Sequence, residues 1–598
     1  MSRSQVCFVL LFFVLLACVS WAQTPLTFIS TGPCRLMDTR SGNPGTMAGG
    51  TTMVVNIPQD PSCEIPNTAL AYALNITAVP TGPMGYVTVW PDGMTQPNIS
   101  TLNAYDGRIK AVGTIVGAGN NNAIDIFASD ATDIVMDISG YFVAPGNRDA
   151  LYYYPLRNVC ELVNTVNPPS NNGLGGPALQ NGVGRSFQVN NNPNCTIPAD
   201  ATAYALNVIA TPVNGASLGY LTVWDSALAQ PSTSLLNATT GTAVANAAIV
   251  PAVTGAISLY AYGADTNVEV DMVGYFGPKT LQGQRGFGDP DGDALYMITP
   301  CRGLDTRPYP FQNRMDYIFQ AQGGCISTLP TRQINPSIDA FLLNATVLPE
   351  AGLGYFPIWR FGEQMPLPST IVDLDGSVTS NMAIVAAGAH GEISAYASAP
   401  TNLLYDLNGY FASAKLTILT LVSQMPPATY NVPYGPVTVQ ARGGVPPYSW
   451  SATLPANLTI ASSDPTDATI SGCAVNNDSG VSATIKVKDA TSRTYTEYGS
   501  LTINTLPALG ITTTSLPPGT LNNYYSEQLT ATGGYGTYAW SIVAGSLPPG
   551  FSLNPTTGVI SGFDPNQRGG WYAFTVQVAD QECPTAGLYT QNLSIRIN

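Results

Sequence analysis

Two seven-residue phrases, "CRLMDTR" at Cys34–Arg40 and "CRGLDTR" at Cys301–Arg307, hold the first residues whose types and spacing suggest chemistry. Each sets an acid two positions before a base: Asp38 with Arg40, and Asp305 with Arg307. Such a pair can hold a ligand, or it can satisfy charge where a loop meets a sheet. A second set is Asp289, Asp291 and Asp293 in "GDPDGDAL". Carboxylates at alternate positions can converge on a calcium ion, a hard cation that takes oxygen ligands. The same triplet also reads as a solvated acidic turn, and no distal glutamate of an EF-hand follows it. The chain has a single histidine, His390, so metal sites needing two imidazoles are excluded. A serine–histidine–acid triad would rest on that one residue. No GxSxG, HExxH or phosphate-cradling glycine loop stands in a strand–helix context. Two carboxylates suffice for glycoside hydrolysis, but no acid pair is singled out, and the chain reads as non-catalytic, with no cofactor beyond the calcium option.

The elements that would position these residues are β-strands. Charged residues make up 10% of the 598, against about 25% in ordinary globular chains. Gly 58 and Pro 48 are abundant among Thr, Asn, Ser, Val and Tyr, a mix that favours strands joined by tight turns. A chain of this length exceeds one core, so several domains are expected. The net charge of −15 argues against nucleic acid as a partner.

The N-terminus reads as an export signal over residues 1–22. Arg3 precedes an apolar run from Val6 to Leu16, and Ser20–Ala22 has the small residues of a cleavage site. "LLAC" offers a rival reading, a lipoprotein modified at Cys18. No other segment is apolar for long enough to span a membrane. Export makes disulfides the default for the eight cysteines beyond the signal.

Three phrases recur in order. "GYF" ends at Phe142, Phe276 and Phe411; "LN" supplies Asn75, Asn207 and Asn344; a "GY…W" strand ends at Trp90, Trp224 and Trp359. This predicts three β repeats, 26–145, 150–279 and 294–413, with a linker at 280–293. Alternation of Tyr86, Thr88 and Trp90 with Val87 and Val89 marks a strand, and the tryptophans read as core. Each repeat opens with two cysteines, predicting the pairs Cys34–Cys63, Cys160–Cys195 and Cys301–Cys325. Repeat 2 begins "CELVNTV", so Asn164 and Val166 stand where repeats 1 and 3 have the Asp and the Arg. The acid–base pair is therefore dispensable to the fold, and the structural reading is preferred to a ligand site.

Beyond residue 411, "GGVPPYSWS" and "GGYGTYAWS" begin at Gly443 and Gly533, and "ISG" recurs at Ile470 and Ile560. Two further sandwiches follow, 417–505 and 508–598, the first of them degenerate. The fold class is therefore all-β: a tandem array of three sandwich or barrel-like repeats and two C-terminal Ig-like sandwiches. Cys473 and Cys583 lie one in each Ig-like copy and either bridge them or remain free.

Two family resemblances follow from these phrases. "RLMDTR", "ALNITAV", "GYVTVWP" and "MDISGYF" resemble a repeat of secreted bacterial proteins, found beside cell-wall enzymes and surface domains, over residues 26–412. "GSLPPGFSLNPTTGVISG" with "YAFTVQVAD" resembles the Putative Ig family of bacterial surface proteins, relatives of cadherin-like domains. The second resemblance implies spacer or adhesion modules, and a cadherin-like calcium site would draw on Asp489 and Asp580. The expected protein is secreted or at the cell surface and acts in adhesion or glycan binding. Its partner would be a polysaccharide or a surface protein. The alternative is a structural subunit or stalk of an extracellular layer or fibre that self-associates.

Overall fold

Strand-forming residues in alternation give each repeat two facing layers of strands, four in each layer of repeats 1 and 2, because a period of two sends successive side chains to opposite faces. The computed structural model describes residues 24–42, 44–279, 291–307, 309–318, 338–388, 391–418, 420–443, 448–462, 467–475, 480–490, 492–564, 569–580, 583 and 587–598. These hold strands and short 3-10 turns, with no α-helix among the described residues. The chain forms two units, Met1–Ala414 and Lys415–Asn598.

In repeat 1 the inner sheet runs Thr27–Asp38, Thr132–Val143, Ala71–Pro80, Lys110–Gly117, and the outer sheet runs Thr51–Asn56, Ala123–Ala128, Met84–Pro91, Leu102–Ala104. Repeat 2 uses the same two orders. In repeat 3 the two late strands fuse into one, Glu392–Ser413, which passes from the outer to the inner sheet. Each repeat buries its own core between its sheets: Ile76, Val87, Val89 and Met136 in the first, their counterparts in the others. Disulfides Cys34–Cys63 and Cys160–Cys195 staple the opening strands, with Cα atoms 5.7 and 5.8 Å apart. Their separations of 29 and 35 residues make each worth roughly 3–4 kcal/mol in the chain-entropy account. Cys301 is disulfide-bonded, and Cys325 lies outside the described residues.

The inner sheets are apolar on their second face too. Phe28, Phe142, Tyr153, Phe276, Leu295 and Phe411 leave their own repeats and meet in a fourth core shared by all three. Phe28 lies on Phe276 at 4.8 Å, and Tyr153 on Phe411 at 4.3 Å. A one-residue bulge before each "GYF" turns the tyrosine inward and the phenylalanine outward. The glycine is needed there: a Cβ on Gly140 would stand 2.3 Å from the Phe28 ring. The opening strands also pair between repeats, Leu26 with Leu295, Phe28 with Leu151, and Asp293 with Tyr153. The repeats are thus tandem in sequence but closed on one another in space, each touching both others.

The second unit holds two sandwiches with separate cores, centred on Val439, Ile485 and Val487 and on Trp540, Val576 and Ile595. Both keep the same tyrosine ties. Tyr448 Oη and Tyr538 Oη donate to Gly443 O and Gly533 O, at 2.6 and 2.8 Å. Cys473 and Cys583 form a disulfide between the two, Cα atoms 5.9 Å apart, and Cys583 N donates to Asn431 O at 2.8 Å.

The shared core predicts one cooperative unfolding transition for residues 24–414, rather than three. Phe276→Ala should destabilise all three repeats together, by about 3–5 kcal/mol. Calorimetry of the mature chain checks this, and separate melting of the repeats would contradict it.

Candidate functional site

The seams between repeats are built from recurring residues. The "LN" asparagine crosses each seam: Asn75 Nδ2 donates to Ser234 O, Asn207 Nδ2 to Ser369 O, and Asn344 Nδ2 to Ser100 O, at 2.7, 2.6 and 2.7 Å. Repeat 1 thus reaches 2, 2 reaches 3, and 3 reaches 1, closing the ring. The acid of the closing strand sits at the same place. Asp137 takes Arg35 on both oxygens, at 2.5 and 3.2 Å, and Asp406 takes Arg302 likewise. Each also accepts from the next repeat, Asp137 from Ser234 N at 3.3 Å and Asp406 from Ser100 N at 3.4 Å.

Asp38–Arg40 and Asp305–Arg307, the pairs picked from sequence, are local. Asp38 accepts from Arg40 N and its guanidinium at 2.6 to 3.1 Å, and Arg40 remains half-exposed. Asp305 holds Arg307 the same way. Bonding from Arg40 and Arg307 keeps both acids below the usual carboxylate range. The tie to the closing strand runs through Arg35 and Arg302, which the sequence does not single out and which bridge Asp38 to Asp137 and Asp305 to Asp406, and through the threonine of the motif. Thr39, Thr165 and Thr306 each accept a main-chain N–H of the closing strand, from Ile134, Val268 and Leu403, at 2.8 to 2.9 Å.

Repeat 2 shows what the missed signal was. Glu161 stands where the others have Arg35 and Arg302, while Asp271 remains. Asn164 replaces Asp38 in the turn, accepting Val166 N at 3.0 Å and donating to Glu161 at 2.8 Å. Asp271 is 1% exposed, and neither oxygen finds a partner among the described residues. Burial, then Glu269 and Glu161, push its pKa well above the usual range.

Of the calcium triplet, Asp289 lies outside the described residues, Asp291 is in a turn, and Asp293 begins the opening strand of repeat 3, buried. Asp489 is engaged by Arg493 at 2.9 Å, and Asp580 by Tyr535 N and Gly587 N, both at 2.9 Å. Among the described residues no three acids, histidines or cysteines group as metal ligands. His390 and residues 1–22, with Cys18, lie outside the described residues. Among the described residues no helix is long and apolar enough to cross a membrane.

The tryptophans read as core are buried, but on the face opposite Val87 and Val89, under the loop that follows. Trp90, Trp224 and Trp359 each donate Nε1 to the carbonyl four residues on, at 3.0 to 3.1 Å. Four residues back on the same face, each repeat leaves an aromatic pair at the surface. Tyr86 lies beside Phe127 at 5.6 Å, Tyr220 beside Tyr260 at 6.1 Å and Tyr262 at 5.2 Å, and Tyr355 beside Tyr396 at 5.6 Å. Phe127 and Tyr260 hold the same register, opposite Thr88 and Thr222. Tyr262 and Tyr355 are 54% and 41% exposed, and the Tyr220–Tyr262 and Tyr355–Tyr396 rings lie within 23° and 25° of parallel. Bonding to Tyr396 raises the Tyr355 hydroxyl pKa. The pairs of repeats 2 and 3 are stacked and partly exposed, and that of repeat 1 is tilted by 38°, so each sets aromatic surface with polar rims beside the solvent.

Residues 507–594 match the family model described as Putative Ig domain. No curated protein matches the chain. Among solved structures, an endo-fucoidan hydrolase of glycoside hydrolase family 107 is 15% identical over 35% of this chain and 36% of its own, with a TM-score of 0.19. The chain thus spans about a third of that hydrolase. A protocadherin gammaB7 EC3-6 cis-dimer is 16% identical over 44% and 70%, with a TM-score of 0.17. Mouse cadherin-23 EC22-24 is 16% identical over 31% and 67%, with a TM-score of 0.15.

The unpaired seam acid predicts a pH dependence. A carboxyl held above its ordinary pKa binds its proton more tightly folded than unfolded. It contributes stability below about pH 4, and that contribution is lost as the pH climbs through the folded value. Asp271→Asn should therefore raise the melting temperature at pH 7.5 and leave it nearly unchanged at pH 3.5. Equal effects at both pH values would contradict this.

Proposed function

We propose that this chain is an exported, non-catalytic adhesion protein, secreted or at the cell surface, whose first unit holds polysaccharide on its three aromatic pairs. One observation carries the reading: an aromatic pair recurs at one surface position of every repeat, partly exposed in all three and most open at Tyr262 and Tyr355, although that position belongs to no repeat core. A pyranose ring presents an apolar C–H face that covers such a platform, while its hydroxyls stay in water or meet the tyrosine rims. Three weak platforms on one rigid unit suit a repeating polymer, because the second and third contacts become intramolecular. The disulfide-tied Ig-like pair of the second unit suits a spacer, and the sequence inventory supplies no catalytic constellation.

A second reading, a structural subunit that contacts its own copies or another surface protein, draws on the last domain. There Trp571 is 70% and Leu588 61% exposed, and apolar side chains at a surface favour protein contact.

Replacing Tyr86, Tyr220 and Tyr355 together with alanine should lower retention on polysaccharide columns by about tenfold or more per platform lost, at roughly 1–3 kcal/mol each by analogy with base stacking. Melting should move little, as the three rings lie outside the repeat cores. Unchanged retention, with sedimentation showing concentration-dependent self-association, would favour the structural reading.

A further inference from the structure

The three seams repeat one geometry, so their differences are informative. At each, the bulge of one repeat's opening strand faces the loop after the next repeat's tryptophan. Between repeats 1 and 2 the loop residue is Leu228, whose Cδ1 would stand 3.1 Å from a Cβ on Gly32, so it packs on the bulge, and the cavity beside it, lined by Pro33, Asn75 and Ser234, is about 50 Å³. Between repeats 3 and 1 it is Met94, facing Thr299 and Pro300, and the cavity left is about 20 Å³. Between repeats 2 and 3 the equivalent space is about 410 Å³, within the range of small-ligand sites.

Two sequence changes open it. The bulge of repeat 2 is one residue longer: four residues, 156–159, separate Pro155 from Cys160 in the pairing, against three in repeats 1 and 3. In the position of Leu228 and Met94 stands Glu363. Its Oε1 accepts from Arg157 Nη1 at 3.3 Å and from Arg360 Nη1 at 3.0 Å. The charged lining is thus two guanidinium groups and one carboxylate, a positive excess in a chain of net charge −15. Amides of Asn158 and Gln364 and the apolar Ile358 and Met365 complete the wall.

We propose that this cleft binds an acidic sugar, a pyranose bearing a carboxylate. Planar guanidinium groups match a carboxylate with paired, charge-assisted hydrogen bonds, the amides meet ring hydroxyls, and the apolar wall meets the ring's C–H face. One bound carboxylate balances the lining charge. The proposal deepens the polysaccharide reading, adding one selective site to three unselective platforms.

The test is calorimetric titration of the full mature chain with a trimer of galacturonic acid and with its neutral methyl ester. The acid should bind about tenfold more tightly, the worth of a hydrogen bond to a charged group. Arg157→Gln, at a side chain 60% exposed, should abolish the preference without changing melting. Asn158→Trp, which fills the cleft, should abolish binding of the acid. The proposal is overturned if acid and ester bind alike, if neither binds saturably, or if Arg157→Gln keeps the preference. The triple tyrosine variant separates the two readings. Acid binding that survives in it upholds the cleft even where the platforms fail, while polymer retention indifferent to Arg157→Gln and Asn158→Trp upholds the platforms alone.

Discussion

Everything in the first unit depends on inner sheets that are apolar on both faces. One face is satisfied inside the repeat, against the outer sheet. The other carries Phe28, Phe142, Tyr153, Phe276, Leu295 and Phe411 and would stand in water on an isolated repeat. Burying a large apolar side chain is worth about 1.5–3 kcal/mol, so these four phenylalanines with Tyr153 and Leu295 drive association more strongly than any one polar contact at the seams. Three copies are a way to close such a surface without leaving an edge. A head-to-tail contact either rings or grows into a filament, and here the third repeat returns to the first through Asn344 and Ser100.

The polar seam groups then select the arrangement. Each crossing asparagine meets a main-chain carbonyl of the next repeat, and each closing-strand acid is aimed at the same segment. A buried acid is costly unless held by a cation. Repeats 1 and 3 supply Arg35 and Arg302. Repeat 2 instead places Glu161 and Asn164 there, and Asp271 is left in a low-dielectric seam with no hydrogen-bond partner among the described residues. The asymmetry coincides with the seam that opens into the Arg157–Glu363–Arg360 cleft. Duplicated domains freed from strict symmetry can give up stability at one interface and keep it at two.

Outer faces are freer still. The tryptophan pins its loop from the side away from the core, and the aromatic pair built on the tyrosine four residues earlier lies on that same outer face. Function in such an array is expected on surfaces that neither the repeat core nor the shared core requires. The second unit follows a different plan, two separate cores joined by Cys473 and Cys583, with Asp489 and Asp580 already occupied by Arg493 and by main-chain N–H groups.

Much of this architecture is local information. Strand alternation, the three "GYF" endings, the paired cysteines near each start and the Ig-like phrases at the end are legible in the chain because each reflects a short-range rule: period two, a bulge that only glycine permits, a loop closed by sulfur. The phrase "DTR" is legible as a structural turn for the same reason, since Asp38 and Arg40 bond to each other. What the sequence did not reveal is which residues meet across repeats. Arg35 and Asp137 are separated by 102 positions, and Asn344 and Ser100 by 244; no spacing rule links them. Large aromatics dominate sandwich cores, which points the tryptophans inward; Trp90, Trp224 and Trp359 are buried, but only the packed sheet decides on which face. The aromatic pairs and the 2–3 cleft likewise exist only once strands from distant segments are set side by side. Local backbone chemistry writes the elements, and burial of the leftover apolar face decides how they close and which side chains remain available to a ligand.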